Sequence, residues 1–287
     1  MTIFAGVGAV SLSVAVTSGT PLRFETLGGA RVLRAGILLK AGTARPRELL
    51  LAMLARGGAP VSHLEICDAL WPDADGDAAR RAFDTTLHRL RNWLDAPNAI
   101  CLSTGQLSLD FEHCTLDVRE VELILNATEL PWSGSAGLTQ LYRGRFLPEL
   151  AHSPVAARYR ARLHERVLAH LARHGFLLEH DKRFAEAAEL YRNALSIDDE
   201  HERFYQGLIR CAGESDRPSE VAAVLRRCVG TFAERFATAP SKETLTLARN
   251  YGVKALFGEA TRSSSTKAVV RSLAPRARCR SRGLSSP

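Results

Sequence analysis

The chain has 287 residues, 46% of them apolar and 24% charged, which suits two ordinary globular domains and excludes disorder throughout. Its net charge of +7 is not spread over the molecule, because Arg262, Lys267, Arg271, Arg276, Arg278, Arg280 and Arg282 follow Glu259 with no acid among them. The first 259 residues balance at zero, so they exclude a general attraction to polyanions and leave only local clusters to meet phosphate.

Residues 1–20 are apolar and Gly/Ser-rich but lack the basic start and A-x-A site of an export signal, and they are short for a bilayer span. They are expected to be a leader or an extra strand. "PLRFETLGGARVLRAGILLK" (21–40) breaks short apolar runs at Gly28-Gly29 and Gly36, which predicts a small antiparallel sheet. "PRELLLAMLARGG" predicts a helix with Leu49, Leu50, Met53 and Leu54 inward, Pro46 in its first turn and Gly57-Gly58 at its end. "SHLEICDALWP" opens with the S-x-x-E spacing of a capping box, Ser62 and Glu65, and stops before Pro72. The polar loop "PDADGD" (72–77) follows.

From 78 to 94 the spacing predicts a helix whose Phe83, Leu87, Leu90 and Leu94 form one apolar stripe. Arg81, Thr85, His88 and Asn92 repeat on the opposite side, flanked by Arg89 and Arg91. This stretch carries +3, while 22–118 as a whole carries −1. Charges on the far side of the domain are largely screened at physiological salt, so the local excess is the relevant one. "AICLSTGQLSLD" then alternates Ile100, Leu102, Leu107 and Leu109 about Thr104-Gly105, a hairpin. Sheet, two helices, loop, helix and hairpin is the plan of a winged helix-turn-helix, whose third helix can offer its outer face to a major groove.

Ser62 to Leu94 also resembles the OmpR/PhoB-type winged helix of bacterial transcriptional activators of the SARP group, chiefly through Asp84, Leu87, Arg89, Leu90 and Arg91. The resemblance implies that the third helix enters the major groove of double-stranded DNA, that the hairpin approaches the neighbouring minor groove or backbone, and that the loop 72–77 meets RNA polymerase. Mapped onto this chain it implies DNA contacts by Arg81, Thr85, Thr86, His88, Arg89, Arg91 and, in the wing, Thr104. The wing "LSTGQLSL" departs from the pattern in having neither Arg nor Lys.

"NATELPWSGSAGLTQ" (126–140) reads as a linker, and "LYRGRFLPEL" (141–150) resembles the opening of the bacterial transcriptional activator domain that accompanies this winged helix. A 34-residue tetratricopeptide-like frame starting at Leu168 places Gly175, Leu178, Ala187, Tyr191 and Ala194 in one repeat. One period later stand Leu208, Ala212, Val221, Leu225 and Cys228, with Gly213 and Pro218 expected to loosen that repeat's turn. A third helical pair is expected from Val155. So few repeats bury little core alone, which favours docking on a neighbour or self-association.

The fold class expected is mainly α with a small β component: a leader (1–20), a winged helix (21–118), a connecting helix and linker (119–140), a tetratricopeptide-like activator domain (141–258) and a basic disordered tail (259–287). Six cysteines without a C-x-x-C pair, and no export signal, read as thiols of a cytoplasmic protein with no membrane partner. His170 and His174 are i, i+4 but have no evident third metal ligand, "GVGAV" lacks the rest of a dinucleotide fingerprint, and no nucleophile motif occurs. No enzyme activity, cofactor or metal is therefore expected. The expected function is sequence-specific DNA binding by a transcriptional regulator, an activator that contacts polymerase or a second protomer. The alternative is a non-enzymatic adaptor that binds proteins through its repeats.

Overall fold

Residues 22–127 and 132–253 are described by a computed structural model, the side chains of 132–136 excepted. The expected leader and basic tail lie outside them. Among the described residues the chain divides into two compact units, the first made of 22–127 together with Leu141–His164, the second of 132–140 and 165–253.

In the first unit β1 (Leu22–Glu25), β2 (Arg31–Arg34) and β3 (Ile37–Leu38) form the expected antiparallel sheet, with Leu22 opposite Arg34 and Leu33 opposite Leu38. α1 (Ala44–Leu54) buries Leu49, Leu50, Met53 and Leu54 and stops three residues before the expected end at Gly57, with Gly57 and Gly58 both at positive φ in the turn that follows. β4 (Val61–Ser62) leads into α2 (His63–Leu70), and α3 (Gly76–Leu94) follows after a short loop. β5 (Ile100–Ser103) and β6 (Gln106–Leu109) make the hairpin, and β4 pairs with β6 to complete a three-stranded sheet. β7 (Cys114–Leu116) then runs parallel to β1, and α4 (Asp117–Asn126) follows. The purely antiparallel reading of the first sheet was therefore incomplete. A parallel neighbour needs a long crossover, and everything from α1 to β6 supplies it.

Two local expectations are corrected. The capping box is half formed, since the Ser62 hydroxyl accepts from the Leu64 N–H at 3.3 Å while Glu65 pairs with Arg56 at 2.7 Å. The segment read as a linker contains α5 (Trp132–Leu141), which up to Gln140 belongs to the second unit.

The first unit is closed by two buried carboxylates. Asp117 is fully buried at the start of α4 and accepts from the Thr26 N–H at 2.9 Å, the Thr26 hydroxyl at 2.6 Å and the Leu27 N–H at 3.0 Å. It gives the bend after β1 the backbone partners that no strand offers. Glu25, 5% exposed, meets Arg31 at 2.9 Å, Arg143, and Arg23 at 3.7 Å. Burial opposes its charge, but the hydrogen bond from Arg143 and the three guanidinium groups hold its carboxyl below the usual carboxylate range.

Arg143 belongs to the stretch Leu141–His164, which packs with the winged helix in the first unit. Phe146 bridges Leu27, the Gly28 N–H donates to the Arg145 carbonyl at 3.0 Å, and the Leu147 N–H donates to the Thr26 carbonyl at 2.8 Å. Tyr142, Phe146, Leu147 and Leu163 are all at most 2% exposed. Tyr159 stacks obliquely on Phe146 at 4.7 Å and lies so close to Gly57 that a Cβ there would sit 2.2 Å from its hydroxyl. The packing boundary thus differs from the expected domain boundary at 141.

α6 (Pro154–His180) is one continuous helix whose residues from Glu165 onward belong to the second unit. Val155 therefore opens a single long helix and not the expected third helical pair. α7 (Phe184–Ile197), α8 (Glu202–Glu214), α9 (Pro218–Phe236) and α10 (Lys242–Asn250) complete the array. Every residue placed in the repeat frame is buried, including Ala187, Ala194, Val221 and Cys228 at 0% exposure. Tyr191 fills the space left by two glycines: a Cβ at Gly175 would lie 2.4 Å from its ring, and one at Gly207 would lie 2.3 Å away. Its hydroxyl donates to Glu179 at 2.5 Å, and Arg210 meets the same carboxylate at 2.6 Å.

The second repeat's turn is not loosened. Lys182 at φ 58° and Asp216 at φ 52° take the same left-handed conformation one period apart. The Arg183 N–H reaches the Leu178 carbonyl at 2.8 Å, and its counterpart Arg217 reaches Ala212 at 2.9 Å. Pro218 simply starts α9, where its missing N–H is harmless.

Candidate nucleic-acid interface

α3 is set by its ends and its inner stripe. Asp75 caps it, its carboxylate accepting from the Ala78 N–H at 2.6 Å, so the helix begins at Gly76, two residues ahead of the expected start. Asp95 closes it at φ 44°. Phe83, Leu87, Leu90 and Leu94 are at most 3% exposed, and each such burial contributes about 1.5–3 kcal/mol. That stripe leaves the opposite face to solvent.

Arg81, Thr85, His88 and Arg89 are exposed on this face. Neither Arg81 nor Arg89 has an ion-pair partner among the described residues, and Asp84 is held by Arg80 at 3.2 Å. The Thr85 hydroxyl donates to the Arg81 carbonyl at 2.9 Å, leaving its oxygen able to accept. His88 Nε2 lies 3.1 Å from the Asn92 side-chain amide, so the exposed row runs on to Asn92. Sequence reasoning left Asn92 out of the interface although its spacing put it on the row.

Two expected members lie elsewhere. Thr86 is 6% exposed and its hydroxyl donates to the Ala82 carbonyl at 2.7 Å. It stands three residues after Phe83 and four before Leu90, which is the spacing of the apolar stripe, so it drops out of the outer face. Arg91, four after Leu87 and three before Leu94, is half-buried and donates from Nη2 to the Ile100 carbonyl at 2.9 Å.

The wing turn holds Thr104 at φ 49° and Gly105 at φ 78°, the pair of left-handed residues that matches strand twist in a two-residue hairpin. Thr104 is exposed at its tip. His63 was missed by the sequence reading. Its ring nitrogen Nδ1 lies 2.9 Å from the Gly105 carbonyl, and its ring packs on Phe83 at 5.9 Å, so it links the turn to α3's core side. Trp93 covers Gly42 and donates its indole N–H to the Lys40 carbonyl at 2.9 Å, which makes it a seam residue.

Elsewhere, burial pushes the Cys114, Cys211 and Cys228 thiols up to about 12, so they are protonated and inert at neutral pH. Burial also lowers His170 and His174, and among the described residues no three metal-ligating side chains come together. No described helix is long and apolar enough to cross a membrane.

The fold therefore defines a winged helix-turn-helix protein with a helical repeat array. Residues 135–250 match the bacterial transcriptional activator domain. The chain is 33% identical over 108 residues to "Regulatory protein AfsR" of Streptomyces coelicolor, a match covering 38% of this chain and 11% of that protein. It is 32% identical over 97 residues to the protein of the same name in Streptomyces griseus, covering 34% and 10%. The chain thus spans about a tenth of the length of these curated relatives. The solved structure "Mycobacterium tuberculosis EmbR in complex with low affinity phosphopeptide" shares its fold at a TM-score of 0.57 and 20% identity, covering 89% of this chain and 69% of that one. Residues 135–250 thus resemble a bacterial transcriptional activator domain, and the winged helix lies ahead of them in the chain.

Proposed function

We propose that the protein is a DNA-binding transcriptional regulator that reads the major groove with the outer face of α3. The observation that carries this reading is the contrast on one helix: Phe83, Leu87, Leu90 and Leu94 are buried, while Arg81, Thr85, His88 and Arg89 are exposed. A helix fixed on one side by a core and bare on the other is the form a major groove admits. Thr104 at the wing tip meets the backbone beside it. With no basic residue in the wing, the electrostatic part of the affinity rests on α3's local charge, so binding weakens with salt by a slope of about 0.9 for each phosphate that α3 neutralises.

The finer reading is an activator. Residues 72–77 are exposed throughout and carry Asp73, Asp75 and Asp77, a surface open to RNA polymerase. The repeats support association of protomers on DNA. Arg89→Ala in a mobility-shift titration on fragments selected from random DNA is expected to cost about 1–3 kcal/mol and to relax selectivity at one base pair. Wild-type affinity and selectivity in that variant would remove Arg89 from the reading face.

The adaptor alternative is favoured by Phe176 and Leu177, 63% and 48% exposed on α6. Its discriminating test is the chain ended at Glu259, because an adaptor whose DNA affinity came only from the basic tail loses that affinity there.

A further inference from the structure

We propose that Arg91 is a positioning residue that ties the wing to the end of α3 and contacts no phosphate. This rests on the DNA-reading proposed above and gives Arg91 a role different from the one its resemblance implied. Its Nη2 donates to the carbonyl of Ile100, the first residue of β5, itself 1% exposed. Its Nε is buried without a partner, so the side chain is sunk between helix and hairpin and not extended into solvent. Swinging it out to a phosphate would strip the buried Ile100 carbonyl of this donor and leave it unpaired beneath the hairpin.

The geometry explains why such a tie matters. The end of α3 is already fixed to the first sheet, since Arg34 reaches the Leu94 carbonyl and Asp95, and Trp93 reaches the Lys40 carbonyl. Arg91 fixes the same helix end to the second sheet. From Ile100 to Thr104 is four residues of strand, roughly 13 Å, so a 10° swing of the hairpin about its base would carry the wing tip roughly 2 Å from its place. The wing itself has no Arg or Lys to draw it back to the backbone. Its position relative to α3 is therefore set inside the protein.

The test compares full-length Arg91→Met with the parent in two measurements. One is the dependence of DNA affinity on salt, and the other is amide exchange of residues 100–109 in the free protein. The expected result is a two- to tenfold weaker affinity, as for one lost hydrogen bond, an unchanged salt slope, and faster exchange in the hairpin while Leu87 and Leu90 stay protected. A slope reduced by about one, the mark of a lost phosphate contact, overturns the proposal, and so does hairpin exchange equal to the parent's. If the parent shows no selective, salt-dependent binding, the DNA-reading fails on its own, and the exchange result alone decides whether Arg91 holds the hairpin.

Discussion

In the first unit Asp117 and Glu25 sit buried where β1 bends into its loop, and the backbone and guanidinium groups around them satisfy every charge they bring. In the second unit the comparable role falls to Tyr191, a ring pressed between Gly175 and Gly207, with the same turn repeated one period on. The first arrangement depends on residues far apart in sequence meeting once. The second depends on a short rule used again. One consequence is that the first unit should respond to truncation and to pH, and the second to volume.

The sharpest way to break this comparison is to end the chain at Val118. That removes Phe146, Leu147 and Tyr159, which cover Leu27 and Gly57, and we expect no cooperative thermal transition, whereas residues 22–164 should melt as one unit in calorimetry. A sharp transition in the shorter piece would show that the packing of 141–164 is dispensable. Next in size, Asp117→Ala strands the Thr26 and Leu27 N–H groups and should lower the first unit's stability by about 3 kcal/mol or more in denaturant titration, without moving the second unit's transition.

Smaller effects test the second unit. Helix propensity favours Ala over Gly by about 1 kcal/mol, yet overpacking costs about 1–3 kcal/mol, so Gly207→Ala should be a net loss because Tyr191 has nowhere to move. Gly230→Ala in α9, where a Cβ would meet nothing within 4 Å, should instead gain up to about 1 kcal/mol. Equal responses at the two glycines would show that Tyr191 is not confined. The mildest expectation concerns acid. Glu25 is lowered in the folded chain, so its contribution is complete above the usual carboxylate range and is lost as pH falls through the lowered value. Glu25→Gln should remove that dependence from the first unit's midpoint measured between pH 5 and pH 3, and an unchanged pH profile would exclude the arginine cluster as its source.

Helix spacing alone placed α3's inner stripe and its exposed row, and a 34-residue period alone placed ten buried repeat positions. The same spacing, applied more strictly, would have moved Thr86 to the buried side, since it falls between Phe83 and Leu90. Glycine signals marked the hairpin turn and the turn after α1 because positive φ is a property of single residues. These features are local, and local geometry repeats every 3.6 residues, every 2, or every repeat.

What the sequence by itself determined is therefore the antiparallel part of the first sheet, the helices α1 to α3 with the apolar stripes they bury, the hairpin, and the ten buried repeat positions. Only the tertiary structure decided that β7 joins β1, that Leu141–His164 packs with the winged helix, that His63 holds the wing turn and that Arg91 is taken up by Ile100. The physical reason is that a buried donor or carboxylate takes whichever partner the folded chain brings within about 3 Å, and that partner can lie 90 residues away, as Leu27 does from Asp117.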